Sequence, residues 1–213
     1  MKNKFLSFFI YLILSFLIIF SSYSNELFNF NISEIEITQN GNIIKGFNGG
    51  EASTSDGVKI KAKDFEYNKL LTLLIAKHNV ELRDIKKNII INAEEISYIK
   101  NQEKITAKNN VKIIDNEKNI IISAEKIFYF KGKEEIVAEG NIVLKDIKKD
   151  ILIKSDKIFL NQNEEIIIAD GNVYFDDQKN NIQLATEKIT YEKKTSKIFT
   201  EGKTNADIKN KYK

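Results

Sequence analysis

The feature that most constrains the fold of this chain is a repeat of 31 residues, which is carried by two different phrases. The first phrase is A-x-x-N-V or a close variant, and it begins at Ala76, Ala107, Ala138, Ala169 and Thr200. The second phrase is I-x-A-x-x-I-x-Y or a close variant, and it begins at Ile60, Ile91, Ile122, Ile153 and Leu184. Two phrases that keep one period without an insertion indicate a repeat architecture, in which each unit buries its apolar face against the next.

Each unit is predicted to contain two β-strands joined by polar turns. Around the first phrase, apolar residues alternate with polar ones, which is typical of a strand with one buried face. Runs of Lys, Glu, Asp, Asn and Gln separate the phrases, as turns require. The residues on the expected inward face are Ile105, Ala107, Val111, Ile113, Ile136, Ala138, Ile142, Leu144, Ile167, Ala169, Val173 and Phe175.

The second phrase changes phase in its middle, and it does so in every copy. Ile122 and Ala124 share one face of a regular strand, whereas residues 127 and 129 of the same copy would fall on the opposite face. One extra residue, as in a β-bulge, returns all four side chains to the same face and bends the strand. We therefore expect a bend at every level of the sheet.

The repeat also suggests how the chain is organised. Residues 25–59 are interpreted as a degenerate first repeat, residues 60–213 as the main repeat domain, and 25–213 together as one structural domain. Within the first repeat, the segment 46–57, GFNGGEASTSDG, is expected to be rich in loops because of its glycines.

The first residues have the layout of a secretory signal peptide at 1–24. Lys2 and Lys4 precede an uncharged apolar stretch at 5–20, and small residues follow as far as Ser24. The apolar stretch is short for a membrane-spanning helix, which needs about 20 residues, so we expect cleavage after residue 24 and export; an uncleaved membrane anchor is the alternative. Without the two lysines, 31 basic residues face 30 acidic ones, which is not the basic balance of a nucleic-acid reader.

No pattern of catalytic or metal-binding residues is found. His78 is the only histidine and there is no cysteine, so a metal site would lack partners. His78 occupies the repeat position of Asn109 and of glycine in other copies, which favours a backbone role with positive φ. Four carboxylates recur at one repeat position, and they are Glu94, Glu125, Asp156 and Glu187. We interpret them as a solvated face that caps free amides at the bulge, and we expect neither enzyme activity nor a cofactor.

The chain resembles the OstA-like domain of the lipopolysaccharide transport proteins in its order of motifs, which is the second phrase, a polar turn and then the first phrase. The segments that carry the resemblance best are ISAEKIFYFKGKEEIVAEGNIVLKD at 122–146 and LATEKITYEKKTSKIFTEGKT at 184–204. The resemblance extends over about residues 30–205. The family includes the periplasmic bridge protein LptA, the N-terminal part of the outer-membrane protein LptD and, more distantly, LptC.

The resemblance implies an open, V-shaped β-jellyroll that holds the acyl chains of lipopolysaccharide between its two sheets. It implies docking to other Lpt proteins or to a second copy by pairing of edge strands. The inward residues named above would then line a lipid slot, with a closed core as the alternative. The implied function is lipopolysaccharide binding and transport in the periplasm. Two alternatives stay open: a truncated N-terminal periplasmic domain of LptD, and a surface β-solenoid or adhesin-like protein whose strands would stack in parallel.

Overall fold

A computed structural model describes residues 27–208, and within them the chain is all β with no α-helix. The signal peptide predicted at 1–24 lies outside the described residues. Two short 3-10 turns occupy Gln39–Gly41 and Lys100–Gln102. The strands are β1 (Asn29–Thr38), β2 (Ile43–Ser53), β3 (Val58–Ala62), β4 (Asp64–Asn68), β5 (Leu73–Asp84), β6 (Ile89–Ile99), β7 (Lys104–Asp115), β8 (Ile120–Phe130), β9 (Glu135–Asp146), β10 (Ile151–Asn161), β11 (Ile166–Asp177), β12 (Ile182–Glu192), β13 (Lys197–Glu201) and β14 (Asn205–Ile208).

The strands form one sheet in which neighbours in sequence are mostly neighbours in space. The order is β1-β2-β3-β5-β6-β7-β8-β9-β10-β11-β12-β13, while β4 pairs with β2 and β5, and β14 pairs with β12. From β5 to β12, equivalent strands begin 31 residues apart, so the two-strand repeat is confirmed. All strand pairs in the described part of the chain are antiparallel, which is not the parallel stacking that the solenoid alternative predicted.

Every pair of neighbouring strands from β5 to β12 has a bulge in its middle. Between β7 and β8 the register shifts so that Asn109 and Asn110 lie opposite Glu125 alone. The two asparagines have φ values of 64° and 54°, and the equivalent residues of β9, Gly140 and Asn141, also have positive φ. The expected bend is therefore present, but the extra residue lies in the strand of the first phrase, where Gly and Asn tolerate this backbone conformation.

The bends divide the sheet into two arms that share one apolar core. The first arm contains residues 104–108 of β7 and the halves of the other strands that lie on the same side of the bulges. The second arm contains residues 111–115 of β7 and the halves on the other side. Inward residues of both arms belong to a single buried cluster. Phe175 in the second arm packs edge-on against Tyr191 in the first arm, with ring centroids 5.7 Å apart. The two arms therefore fold face to face, with their polar faces outside.

The free ends of the two arms also meet, with an offset of three strands. The turn after β8 contacts the end of β5 and its turn, where Lys131 pairs with Asp84 and Lys87 pairs with Glu134. The same offset joins the turn after β10 to β7, and the turn after β12 to β9. An oblique closure of this kind is consistent with the right-handed twist of a sheet, which rotates each strand relative to its neighbour.

The prediction of a loop at 46–57 is wrong for most of that segment, because β2 extends as far as residue 53. A Cβ atom on Gly50 would lie 2.5 Å from the carbonyl oxygen of Asn31, so glycine lets β1 approach β2 closely. Asn48 and Gly49 have φ values of 62° and 89° and form the bend of this strand. The glycines are therefore part of the sheet and do not interrupt it.

Candidate ligand-binding interior

The twelve residues predicted to line a slot lie together on the inward face of the bent sheet. In the first arm they are Ile105, Ala107, Ile136, Ala138, Ile167 and Ala169. In the second arm they are Val111, Ile113, Ile142, Leu144, Val173 and Phe175. None of these residues is more than 2% exposed. The structure brings them into one continuous interior that is packed shut, so a ligand would reach it only after a rearrangement of the arms or from an end of the sheet.

We use the term seam for the line along which the ends of the two arms meet, and we call four of the cross-arm contacts along it rungs. The rung members are Lys100, Lys131, Gln162 and Lys193 on the first arm, and Asp56, Asp84, Asp115 and Asp146 on the second arm. The Nζ atom of Lys100 lies 2.7 Å from Oδ1 of Asp56. The Lys131–Asp84 and Lys193–Asp146 rungs each have a distance of 3.0 Å between Nζ and Oδ2.

Most of the seam is shielded from water. The side chains of Asp84 and Asp146 are each 1% exposed, and that of Lys131 is 7% exposed. The other carboxylate oxygen of each of these aspartates accepts a hydrogen bond from a backbone N–H in its own turn, at 3.2 Å from Lys87 and at 3.0 Å from Lys149. Each carboxylate therefore closes a turn through a hydrogen bond and holds the opposite arm through an ion pair.

The third rung differs from the others because its first-arm member is neutral. The amide of Gln162 donates a hydrogen bond to Asp115, and none of the ion pairs formed within residues 27–208 includes that carboxylate. Burial raises the pKa of Asp115 above its ordinary value of 3.8. Burial acts in the same direction on Asp56, but hydrogen bonds led by that of Lys100 outweigh it and bring its pKa well below 3.8.

Two tyrosine hydroxyls are buried beneath the seam. Tyr98 and Tyr129 are both 0% exposed, and neither hydroxyl has a hydrogen-bond partner among the described residues. The Nζ atom of Lys131 lies 5.9 Å from the centroid of the Tyr98 ring, which places this ring next to the rungs. Burial raises the pKa of both phenols. In the equivalent Tyr191, burial raises the pKa to about 12, although a hydrogen bond with Ser196 acts to lower it.

A polar cavity of about 580 Å³ lies at the C-terminal part of the seam. Its walls are the turns after β7, β9, β10, β11 and β12, and its lining includes Tyr191 and both members of the Lys193–Asp146 rung. Lys149 reaches across this cavity from the second arm and donates a hydrogen bond to Oγ of Ser196 at 3.1 Å. Lys149 and the Lys193–Asp146 rung therefore join the two arms at the cavity.

The outer side of the bend holds the other residues that the sequence singled out. His78 has a φ of 67°, which confirms its backbone role at the bend of β5, and its Nε2 atom lies 3.5 Å from Oδ2 of Asp64. No cluster of three or more His, Cys, Asp or Glu side chains suited to a metal ion occurs between residues 27 and 208.

The recurring carboxylates of the second phrase are exposed and lie at the bulges. Nδ2 of Asn141 donates to Oε1 of Glu125 at 2.6 Å, and Nδ2 of Asn172 donates to Oδ2 of Asp156 at 2.7 Å. In these two copies the capped amide is therefore that of an asparagine side chain in the bend. Glu125 and Asp156 therefore stabilise the bend from its outer side.

The seam is the part of the site that the sequence interpretation missed. Its signal is present, because Asp84, Asp115 and Asp146 stand before successive turns, and Lys131 and Lys193 stand at the start of opposite turns. Pairing them requires knowledge of the three-strand offset, which depends on the twist and bend of the whole sheet.

Comparisons with known proteins add no relative. A scan of the chain against models of protein families finds no match, and a search of curated proteins finds no similar sequence. Within the described residues, no helix has the length and apolar character needed to cross a membrane. The fold and the interior define a repeat protein made of one antiparallel sheet, bent over an apolar core that a row of polar contacts closes.

Proposed function

We propose that the protein binds lipopolysaccharide in its apolar interior and carries it through the periplasm towards the outer membrane for assembly there. The observation that carries this proposal is the continuous apolar face of the sheet. This face is enclosed because the sheet is bent at every level of the repeat, so that its two arms face each other. Acyl chains lying across the strands would find apolar side chains at each level of the repeat. On this proposal the bent sheet is the V-shaped open β-jellyroll of the OstA-like family, and residues 1–24 direct the chain out of the cytoplasm.

The two edges of the sheet support docking of partners end to end. Among the described residues, β1 pairs only with β2, while β13 and β14 pair only with β12. An unpaired edge presents N–H and C=O groups to a strand from another chain. Ile37 on β1 is 62% exposed and Phe199 on β13 is 51% exposed, so each edge also offers an apolar side chain. The partners would be other lipopolysaccharide transport proteins or a second copy of this chain.

Site-specific photo-capture tests the proposal. A small diazirine-bearing aliphatic residue is placed at Ile142 or Val173, which are buried in the interior, and at Lys145, which is exposed on the outer face of β9. Circular dichroism first establishes that each variant is folded. After incubation with lipopolysaccharide and irradiation, we expect capture from both interior positions and little from Lys145. Folded variants that capture no lipid from the interior, or as much from Lys145, would refute the proposal.

A further inference from the structure

The seam separates the apolar interior from water on the side opposite the bends. We propose that lipid enters by parting the seam between the Asp84–Lys131 and Asp115–Gln162 rungs, and that Tyr98 and Tyr129 then donate hydrogen bonds to the oxygens that join its acyl chains to its headgroup. This inference rests on the proposed function and names both the route into the interior and a polar subsite within it.

The weakest point of the closure lies at the neutral rung. Asp115 is 3% exposed, and an amide is its partner across the seam, whereas lysines hold the equivalent carboxylates of Asp84 and Asp146. An ion pair adds the attraction of two opposite charges in a buried site, whereas the Gln162–Asp115 hydrogen bond leaves a desolvated carboxylate without a cation. Parting the arms at Asp115 returns its carboxylate to water without breaking an ion pair, whereas parting them at Asp84 or Asp146 breaks one.

The two tyrosines give the opened seam a chemical preference. A buried hydroxyl without a partner is unfavourable, and in the closed state both Tyr98 and Tyr129 carry one. The two residues flank β7, where both lie opposite Ile105 in the register, so their side chains are inward-facing neighbours two strands apart. An amphiphile with ester, amide or hydroxyl oxygens next to its acyl chains would satisfy both donors. A plain hydrocarbon would satisfy neither.

A covalent link across the seam tests the route. The chain has no cysteine, so the double variant Lys87→Cys, Glu134→Cys can be linked specifically by a short bis-maleimide. In the wild type these two residues form an ion pair next to the Asp84–Lys131 rung. The matched control joins Lys133→Cys to Asn163→Cys, which are exposed in adjacent turns of the first arm and do not cross the seam. Binding of fluorescently labelled lipopolysaccharide is followed over time for both, before and after linking.

We expect the link across the seam to abolish loading and the control link to leave it unchanged. If the seam-linked protein loads as fast as the control, lipid enters through the ends of the sheet and the inferred route is wrong. If neither variant loads before linking, the proposed function itself fails. The two failures are therefore distinguishable in one experiment.

Removal of one hydroxyl tests the subsite. Tyr129→Phe deletes an unpartnered donor, so we expect a higher Tm without lipid and about fivefold weaker retention of lipopolysaccharide, the effect of one neutral hydrogen bond. Binding of a long-chain alkane, which carries no oxygen, should be unchanged. Tyr191→Phe is the control, because its hydroxyl bonds to Ser196 and its loss should lower Tm. Unchanged lipopolysaccharide retention in folded Tyr129→Phe would remove Tyr129 from the site.

Discussion

Replacement of Lys131 by methionine is the most demanding test of the seam as a structural element. Nζ of Lys131 lies 3.0 Å from Asp84 and 3.2 Å from Asp56, and its side chain is 7% exposed. Methionine fills a similar volume but leaves Asp84, with a side chain only 1% exposed, without a cation. Asp56 keeps Lys100 at 2.7 Å, so the loss falls mainly on Asp84.

The magnitude follows from the burial of this pair. Removing one partner of a buried ion pair costs about 3–5 kcal/mol, because the remaining charge stays desolvated. One kcal/mol shifts the Tm of a domain of this size by about 2–4 °C, so Lys131→Met should lower Tm by about 6–20 °C. Calorimetry and urea unfolding monitored by circular dichroism measure the change. Asp84→Asn combined with Lys131→Met should recover part of the loss, because no buried charge is then unpaired.

An exposed lysine provides the matched control for this prediction. Lys157 lies 4.0 Å from Glu139, and the two side chains are 58% and 43% exposed. Since exposed ion pairs contribute about 0–1 kcal/mol, Lys157→Met should shift Tm by no more than a few degrees. A loss in Lys131→Met no larger than that of Lys157→Met would contradict the assignment of the seam as the closure of the fold.

Changes at four further positions have defined outcomes. Gly140 has a φ of 81°, so Gly140→Val should lower stability by about 1–3 kcal/mol, whereas Gly140→Asn, which copies Asn109 of the preceding repeat, should cost less; urea midpoints measure both. The pKa of Asp115 is raised in the folded protein, so the stability contributed by its protonated form is present below pH 3.8 and is lost as pH rises through the folded pKa. The Asp115→Asn variant stays neutral, so its Tm should rise relative to that of the wild type as pH rises above about 4. The lowered pKa of Asp56 has the opposite sign, so the deficit of Asp56→Asn should be largest at neutral pH and shrink as pH falls below about 4. Gln162→Lys gives Asp115 the cation that the neighbouring rungs have, and should raise Tm and slow the uptake of labelled lipopolysaccharide; an unchanged uptake rate in a stabilised variant would argue against opening at this rung.

The sequence predicted the repeat, the strands and the inward face because each of these depends on local periodicity. Alternation placed Ile142 and Val173 in the core, and the repeated exchange of Gly, Asn and His at one position indicated the positive φ of His78. The glycines of β2 were misleading, because glycine is favoured both in a loop and where a neighbouring strand approaches closely, as β1 does at Gly50. Only the pairing of β1 with β2 distinguishes the two cases.

The seam was out of reach of local periodicity for a different reason. Lys131 and Asp84 are 47 positions apart in the chain, and they belong to the turn after β8 and to β5, two strands that do not pair with each other. Their contact depends on how far each strand is rotated and on where the bulge places the fold line, which are properties of the assembled sheet. In the sequence, Asp recurs before the turns of the second arm and Lys recurs at the start of turns of the first arm. This pattern indicates polar turns, but it does not show which turns contact each other.

The central claim is that acyl chains lie between the two arms, and methyl NMR with a spin-labelled lipid tests it most directly. Ile142 and Val143 are consecutive residues of β9, and the first is 1% exposed in the interior while the second lies on the outer face. With a nitroxide near the end of an acyl chain of bound lipopolysaccharide, the account predicts that the methyl signals of Ile142 broaden strongly and those of Val143 much less. Equal broadening at both residues, or none at Ile142 when lipid is bound, would contradict the claim.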